Sequence, residues 1–275
     1  MNKAPIGVDL GGTKMLMICG DTRRKIDTGM GFTSTQIETH IRNFIENLNV
    51  HPTGIGIAVP GLVDHSGKII DCDVIPAISN WSPVESLGDL GCKVTVVNDV
   101  KAALAEEFHD APRHLTAGVI MVGTAVGSAF LTEGMPLMGA SGFAGELGYL
   151  PIRRDNGEIK RLDELAGGSF LAAQLTLSAQ ELASLANAGD TTVLNVIRSG
   201  GSALGIAIAT VINIFNPAFI RLGGGTISLP HYYEAALASA AALAIPELWQ
   251  ACTVTKVRAG DAVVALGAIR SLISQ

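Results

Sequence analysis

Charged and aromatic residues are both scarce in this chain of 275 residues. Asp, Glu, Lys and Arg make up 16% of it and Phe, Trp and Tyr 5%, whereas about 25% of an average soluble domain is charged. Acidic residues exceed basic ones by 25 to 19, and the sequence contains no block of Lys and Arg. A surface that binds nucleic acid or an anionic membrane is therefore not expected. The apolar content of 48% excludes a disordered chain.

Cysteine is scarce as well, and the spacing of the cysteines excludes several kinds of site. Cys19, Cys72, Cys92 and Cys252 form no C-x-x-C pair, so neither a disulfide framework nor a cysteine zinc site is expected. The N-terminus lacks the apolar stretch of a secretory signal. We therefore expect a protein of the reducing cytoplasm.

One run without charge, residues 199–220, is long enough to span a bilayer. It contains polar residues, including Ser202 and Asn213, and no Trp or Tyr anchors flank it. We interpret it as the buried core helix of a soluble domain rather than as a membrane span.

The two halves of the chain begin with the same pattern. An apolar strand, a Gly/Thr turn and a second apolar strand occur at residues 6–19 and again at residues 118–132. Strands and helices alternate after each, and Ile37, Ile41 and Phe44 have the spacing of one helix face. The pattern predicts α/β architecture with two similar domains across a cleft, where ligands tend to bind.

Glycine, in contrast, is abundant: 32 of 275 residues, or 11.6%, against about 7% on average. Three glycine turns, residues 11–14, 123–128 and 223–226, each follow directly after an apolar strand. Glycine permits positive φ and close backbone approach, so such turns can point N–H groups at phosphate oxygens. A single turn of this kind is more often only a tight turn, but three together favour a nucleotide site. Neither a Walker A loop nor a complete G-x-G-x-x-G after a strand is present in the sequence.

Five motifs resemble, in order, those of the ROK family of sugar kinases and sugar-responsive repressors. They are Val8–Lys14, Ala58–Asp64, Val97–Asp99, Gly142–Gly148 and Leu222–Gly225, and the resemblance covers essentially the whole chain. It implies the actin/hexokinase-like fold, with two ribonuclease-H-like domains around a central cleft. The implied N-terminal domain is 1–115, with the C-terminal helix 261–275 packed back on it, and the implied C-terminal domain is 116–260.

The resemblance also implies an activity and its ligands. The expected reaction is transfer of the γ-phosphoryl group of ATP, with Mg²⁺, to a hydroxyl of a hexose or N-acylhexosamine, with O6 as the expected acceptor. The expected partners are the sugar, ATP and a second copy of the chain in a homodimer, and no nucleic acid or membrane.

Asp99 is the residue that we expect to act as general base, because a carboxylate near a sugar hydroxyl can accept its proton. Its alternative role is to cap the helix that follows. The resemblance implies that Asp9 helps to hold Mg²⁺ on the ATP phosphates, and its alternative role is a turn-initiating Asp. Glu106 and Glu107 are expected to be surface charges.

The remaining site residues follow from the resemblance, motif by motif. Glu146 is either a sugar ligand or a solvated loop acid. The implied phosphate contacts come from Gly11, Gly12, Thr13, Lys14, Thr124, Gly127, Gly223, Gly224 and Gly225. The implied sugar site is formed by Gly61, Asn98, Asp99, Glu146, Tyr149 and Asp163.

The chain departs from the family's pattern after Glu146. Tyr149 stands where the family usually has a histidine that contacts sugar and binds zinc, and residues 150–160 replace the three-cysteine zinc loop without any cysteine. We therefore expect no zinc, and no motif indicates what orders loop 150–161. Asp163 stands where the family has a glutamate, and capping of the next helix is its alternative role. Ala125 replaces a turn glycine, and its Cβ would crowd the phosphates if φ were positive.

These departures support a second hypothesis, that of a sugar-sensing or regulatory protein that has lost catalysis. The repressors of the family carry a helix-turn-helix before the first phosphate strand, whereas only five residues precede Ile6 here. Together with the absence of a basic patch, this makes a DNA-binding role an unexpected one.

We predict that the protein, purified without added metal, contains no stoichiometric zinc, because the loop after Tyr149 lacks the thiolates that a structural zinc site requires. Elemental analysis by plasma mass spectrometry measures this directly. One zinc ion per chain would contradict our interpretation of the loop.

Overall fold

The computed structural model describes residues 2–48, 50–64, 66–154 and 156–273. The chain forms two compact units, which we call unit 1 (Met1–His109 with Arg258–Gln275) and unit 2 (Asp110–Val257). The domain limits predicted from the sequence lie after residues 115 and 260, a few residues beyond these unit limits, and they remain a prediction.

Unit 1 is an α/β unit built on one main sheet. The elements of its first segment are β1 (Asn2–Leu10), β2 (Lys14–Cys19), β3 (Thr22–Asp27), α1 (Ser34–Leu48), β4 (Val50–Val59), β5 (Leu62–Val63), β6 (Ile69–Asp71), α2 (Pro83–Ser86), β7 (Lys93–Asn98) and α3 (Asp99–Glu107). The sheet order is β3-β2-β1-β4-β7. Strands β1, β2 and β3 pair antiparallel, whereas β1, β4 and β7 are parallel. Ile6, Val8, Ile55 and Ile57 are fully buried, as is typical of parallel strands covered on both faces.

Unit 2 repeats this topology. Its elements are β8 (Ala117–Val122), β9 (Val126–Thr132), β10 (Met135–Pro136), β11 (Pro151–Arg153), β12 (Ile159–Arg161), α4 (Leu162–Ala166), α5 (Gly168–Ala173), α6 (Ala179–Asn187), α7 (Thr191–Phe215), β13 (Phe219–Gly223), α8 (Tyr232–Leu243), α9 (Pro246–Ala251) and β14 (Thr253–Lys256). The main sheet has the order β10-β9-β8-β13-β14. As in unit 1, the first three strands along the chain are antiparallel, and β8, β13 and β14 are parallel.

Helix α7 contains residues 199–215 of the uncharged run singled out in the sequence, and the end of that run enters strand β13. The Asp190 side chain caps the first turn of α7 by accepting from the N–H of Val193 at 2.9 Å, and Asn216 ends it in the left-handed conformation. By length and composition the helix could cross a membrane, but 61% of its most apolar window is buried within the structure. Its apolar face belongs to the core of unit 2, as the sequence analysis expects.

A C-terminal helix, α10 (Val263–Arg270), packs on strands β1 and β4 and on α3, all in unit 1. The contact is between backbones: a Cβ at Gly7 would collide with the carbonyl oxygen of Ala265, and one at Gly56 with that of Ala268. Gly267 meets the carbonyl oxygen of Ala102 in the same way. Glycine is therefore required for the helix to lie this close to the sheet.

The end of α3 is held to the C-terminal segment by two carboxylates, which corrects the expectation that both are surface charges. Glu107 is only 2% exposed. One of its oxygens accepts from the backbone N–H of Arg258 at 2.7 Å and the other lies 3.3 Å from that guanidinium. The carboxylate of Glu106 accepts from Nε of Arg270 at 2.9 Å. Arg258 and Arg270 lie more than 150 positions further along the chain, so helical periodicity does not indicate these pairs.

Other differences from the sequence-based elements are local. The sequence pattern also predicts a helix near residues 162–174, but the helix is interrupted at Gly167, which separates α4 from α5 in an extended conformation. It predicts a weak third strand around residues 25–32, and the strand lies at Thr22–Asp27. The hairpins β5–β6 and β11–β12 and helix α9 are too short for a periodic signal.

We predict that Gly56→Ala destabilises the protein by about 1–3 kcal/mol or more, because the added Cβ displaces the backbone of α10. Gly88→Ala is the matched control, since a Cβ there meets no atom within 4 Å; its effect should stay within about 1 kcal/mol. Urea unfolding followed by circular dichroism measures both. Equal stabilities of the two variants would contradict the close packing of α10.

Candidate active site

In unit 1, the candidate residues gather where the parallel strands end. Asp9 lies at the end of β1, Gly61 follows β4, and Asn98 is the last residue of β7. Within the sheet, Asp9 is opposite Ala58 and Val59 is opposite Asn98. The carboxyl ends of adjacent parallel strands share one edge of a sheet, and this edge is where open α/β sheets bind ligands.

Asn98, not Asp99, is the N-cap of α3. Its side-chain oxygen accepts from the N–H groups of Val100 at 3.1 Å and Lys101 at 3.3 Å, and its Nδ2 donates to the carbonyl oxygen of Gly61 at 3.4 Å. Asn98 therefore links the end of β7 to the segment after β4. The capping role that the sequence left open for Asp99 belongs to its neighbour.

Asp99 is the first residue of α3 and is half-buried. Its Oδ1 accepts from the N–H of Val100 at 2.8 Å. The position at a helix N-terminus stabilises the ionised carboxylate through the helix dipole. An ionised, partly accessible carboxylate is the form that a general base requires.

Asp9 is the most perturbed acid of unit 1. Burial, followed by the charge of Asp99, raises the pKa of the Asp9 carboxyl to about 7; the charge of Lys14 lowers it and that of Asp261 raises it further. The charges of two other carboxylates, Asp99 and Asp261, thus act on Asp9 at this end of β1. Such a group of negative charges favours a bound cation.

The first glycine turn leaves backbone donors available. Gly11 donates to the carbonyl oxygen of Lys14 at 2.8 Å, and the Thr28 hydroxyl donates to that of Gly11 at 2.6 Å. Within the described ranges, the N–H groups of Gly12 and Thr13 donate to no protein acceptor. A Cβ at Gly12 would collide with the side chain of Val74. The turn therefore offers two backbone N–H groups that an anion could accept from, although none of residues 11–14 has a positive φ.

In unit 2, the second and third glycine turns follow the adjacent strands β8 and β13. The hydroxyl of Thr226 donates to the carbonyl oxygen of Gly123 at 3.0 Å, which ties one turn to the other. Gly224 has φ of +91°, and a Cβ there would collide with the carbonyl oxygen of Val122. Ala125 is exposed and its φ is not positive, so the crowding foreseen for that conformation does not arise.

The segment that carries Glu146 lies along the start of β9. Gly145 has φ of +107° and accepts, through its carbonyl oxygen, from the hydroxyl of Ser128 at 2.6 Å. Gly148 is buried against Val126. Glu146, between these two anchors, is exposed.

The loop that lacks cysteines is ordered by strand pairing. Strands β11 and β12 form an antiparallel hairpin, which Leu162 closes by donating its N–H to the carbonyl oxygen of Leu150 at 2.9 Å. The carboxylate of Glu158 lies 3.6 Å from Arg154 and 3.5 Å from Lys160. Residue 155 lies outside the described residues.

Tyr149 is 56% exposed, and the guanidinium carbon of Arg161 lies 4.8 Å from the centre of its ring. This cation–π contact joins Tyr149 to the end of β12. The aromatic ring is therefore held against the hairpin that replaces the family's zinc loop.

Asp163 is half-buried within the first turn of α4 rather than at its cap. Its Oδ1 accepts from the N–H of Val126 at 2.7 Å. Burial raises the pKa of the Asp163 carboxyl, against the effect of that hydrogen bond. The bond to the second glycine turn has no counterpart in the sequence pattern, because the two residues are 37 positions apart.

The structure thus gathers the candidate residues into two sets, one in each unit. Asp9, the first glycine turn, Gly61, Asn98 and Asp99 share the carboxyl edge of the unit 1 sheet. The set of unit 2 contains Thr124, Gly127, Glu146, Tyr149, Asp163, Gly223, Gly224 and Gly225. Across the described residues, no group of three or more His, Cys, Asp or Glu residues could hold a metal ion on its own.

Two curated proteins are similar to this chain, over 68% and 83% of its length. The xylose repressor of Bacillus subtilis (strain 168) is 28% identical over 206 residues, which are 68% of this chain and 53% of that protein. The chain thus spans about half the length of that relative. The N-acetyl-D-glucosamine kinase of Haemophilus influenzae (strain 86-028NP) is 28% identical over 262 residues, which are 83% of this chain and 86% of that protein.

The crystal structure of a ROK hexokinase from Thermus thermophilus superposes with a TM-score of 0.76 at 26% identity, covering 98% of this chain and 97% of that one. This confirms the predicted α/β fold with units of the actin/hexokinase-like type. The profile of the ROK family matches residues 5–274. Because this match spans nearly the whole sequence, the chain belongs to the ROK family.

Proposed function

We propose that this protein is a sugar kinase that transfers the γ-phosphoryl group of ATP to a hydroxyl of a hexose or an N-acylhexosamine. Membership of the ROK family and the similarity to an N-acetyl-D-glucosamine kinase over 83% of the chain support the reaction class. The observation that carries the proposal is the position of Asp99, at a helix N-terminus on the carboxyl edge of the unit 1 sheet.

Asp99 acts as the general base in this proposal. Its carboxylate accepts the proton of the sugar hydroxyl, for which O6 is our candidate, while the γ-phosphoryl group is transferred. Asn98 orients the sugar beside it, since the cap on α3 and the bond to Gly61 hold the amide in place. A Cβ at Gly61 would collide with the carbonyl oxygen of Asp71, so packing requires this glycine; in the proposal its own carbonyl oxygen holds the Asn98 amide beside the sugar.

The nucleotide binds to the glycine turns in this proposal. Backbone N–H groups of Gly12 and Thr13 and the ammonium group of Lys14 face the phosphates from unit 1. In unit 2 the hydrogen bond between Thr226 and Gly123 sets the spacing of the other two turns. Thr124, Gly127 and Gly223–Gly225 supply the remaining contacts.

Mg²⁺ fits the residues around Asp9. Mg²⁺ in nucleotide sites is bound through one or two carboxylates together with water and substrate phosphates, so a single Asp9 carboxylate suffices. Burial and the charges of Asp99 and Asp261 raise the pKa of the Asp9 carboxyl, so a bound cation would favour its ionised form. When bound, Mg²⁺ would neutralise charge on the β- and γ-phosphates.

The sugar hydroxyls are also bound from unit 2 in this proposal, by Glu146, Tyr149 and Asp163. Glu146 is the exposed acceptor between two glycine anchors, and Tyr149 offers one hydroxyl in place of a histidine. Side chains that hydrogen-bond the sugar hydroxyls discriminate between epimers, because binding of the wrong epimer leaves a buried polar group of the site without a partner. We further propose that the protein works as a homodimer, as the resemblance implies, and in the cytoplasm, as the spacing of its cysteines favours.

The second candidate function is sugar sensing without catalysis. The similarity to a xylose repressor favours it, because that protein's name describes a regulator. Isothermal titration with glucose, mannose, xylose and N-acetylglucosamine, combined with an ADP-release assay, separates the two functions. Sugar binding without sugar-dependent ADP release from ATP would favour the sensor.

We predict that Asp99→Asn lowers kcat by a factor of about 10²–10⁴, because the amide cannot accept the proton. Sugar affinity, measured by titration, should change little, since the side chain keeps its size and hydrogen-bonding oxygen. Asp89→Asn is the matched control: Asp89 is an exposed carboxylate of unit 1 that pairs with Arg42. Full turnover by Asp99→Asn would contradict the proposed base.

We also predict a pH-dependent stability effect at Asp9. The pKa of the Asp9 carboxyl in the folded protein, about 7, lies above its ordinary value of 3.8. The native state therefore holds a proton that the unfolded state has lost between these values, and stability falls as pH rises from about 4 to 7. Asp9→Asn removes this loss, so its free energy of unfolding should exceed that of the wild type more at pH 8 than at pH 4. Urea titrations without nucleotide measure it; an equal difference at both pH values would contradict the raised pKa.

A further inference from the structure

One strand of unit 2 carries both kinds of candidate contact. Strand β9 begins at Val126, which lies inside the second glycine turn, residues 123–128. Its first residues are also the surface on which Gly145 and Gly148 rest, through Ser128 and Val126 respectively. A shift of β9 at Val126 therefore moves the phosphate turn and the Glu146 segment together.

Asp163 lies at the junction of these parts. Its Oδ1 accepts a hydrogen bond from the N–H of Val126 at 2.7 Å. A Cβ at Gly148 would collide with the same oxygen, so the Glu146 segment packs directly on the carboxylate. The backbone oxygen of Asp163 accepts from the N–H of Gly167 at 2.9 Å, which connects the junction to the start of α5.

The start of α5 in turn supports the carbonyl side of the glycine turn. Gly168 donates to the carbonyl oxygen of Gly123 at 2.8 Å, and Ser169 donates to that of Thr124 at 3.3 Å. Thr226, of the third glycine turn, donates to the same oxygen of Gly123. Both sides of the second turn are thus held by the segment that begins at Asp163.

A side chain that only bound sugar would not need these contacts. The resemblance assigns Asp163 to the sugar, in the place of a glutamate that is one methylene longer. Here one carboxylate oxygen is committed to a backbone N–H of the phosphate turn, at the short distance typical of charge-assisted bonds. The other neighbouring carboxylate of α4 is engaged elsewhere: Glu164 accepts from the N–H of Arg161 at 2.8 Å.

We propose that Asp163 is a positioning residue that connects the Glu146 segment to the second glycine turn, so that sugar binding and nucleotide binding are coupled through β9. This rests on the proposed function for its ligands, but the hydrogen bond itself is a property of the free protein. Removal of the carboxylate releases Val126 and loosens both sites at once. Asparagine, whose Oδ1 also accepts, keeps the connection.

The first test needs no ligand. Amide hydrogen exchange is measured for the free protein, its Asp163→Ala and Asp163→Asn variants, and Glu164→Ala as the matched control. We expect exchange at Val126 about tenfold faster in Asp163→Ala, with faster exchange across 145–148, and wild-type rates in the other two. Unchanged exchange at Val126 in Asp163→Ala would overturn the proposal.

The second test measures the coupling. ADP affinity is determined by isothermal titration with and without N-acetylglucosamine or glucose, whichever binds. In Asp163→Ala we expect ADP affinity without sugar to fall about tenfold and the effect of sugar on it to disappear. Asp163→Asn and Glu164→Ala should keep both. A loss of sugar affinity alone, with ADP affinity unchanged, would mean a simple sugar ligand and would overturn the proposal.

A third variant guards against a folding defect. If Asp163→Ala does not fold, Asp163→Ser takes its place, because its shorter polar side chain lacks the Oδ1 atom that accepts from Val126, and the same results are expected. If the wild type binds no ADP, the proposed kinase function and the coupling both fail. Hydrogen exchange at Val126 then still decides whether Asp163 holds the turn.

Discussion

Close approach of one backbone to another, at positions where no Cβ fits, is the constraint on which this structure depends. Gly56 brings α10 onto the sheet of unit 1, Gly224 brings the third turn onto β8, and Gly148 brings the Glu146 segment onto β9. The glycine excess of the sequence therefore serves packing as much as the phosphate turns. The contacts at Gly224 and Gly148 fix segments that carry candidate site residues.

The two units use this constraint in the same topology but with different chemistry. In unit 1, the carboxyl edge bears acids, and burial together with the charges of Asp99 and Asp261 raises the pKa of Asp9. In unit 2, the corresponding edge bears two glycine turns tied by Thr226 and is flanked by the Glu146 segment. An acid-rich edge suits proton transfer and a cation, and a glycine-rich edge suits phosphate oxygens. The presence of acids at the sheet edge of unit 1 and of glycine turns at the sheet edge of unit 2 supports the kinase proposal over a purely binding role.

Long periodic elements could be predicted from the sequence and short or long-range ones could not. Strand β2 lies within the predicted run 6–19, and helix α7 contains residues 199–215 of the predicted core helix, because a long apolar run is a local signal. The hairpin β11–β12 was not predictable, since three-residue strands have no period. The contacts of Glu107 with Arg258 and of Asp163 with Val126 join distant positions, so only the folded chain reveals them. The motif residues were located by resemblance, whereas the cap at Asn98 required the geometry of α3.

The central claim is that the chain phosphorylates a sugar, and product analysis tests it most directly. The purified protein is incubated with ATP, Mg²⁺ and a panel of hexoses and N-acylhexosamines, and the products are identified by ³¹P NMR and mass spectrometry. The account predicts ADP and an equal amount of a sugar phosphate monoester, with the phosphate on O6 of the preferred sugar. Saturable sugar binding with no phosphorylated product from any member of the panel would contradict it.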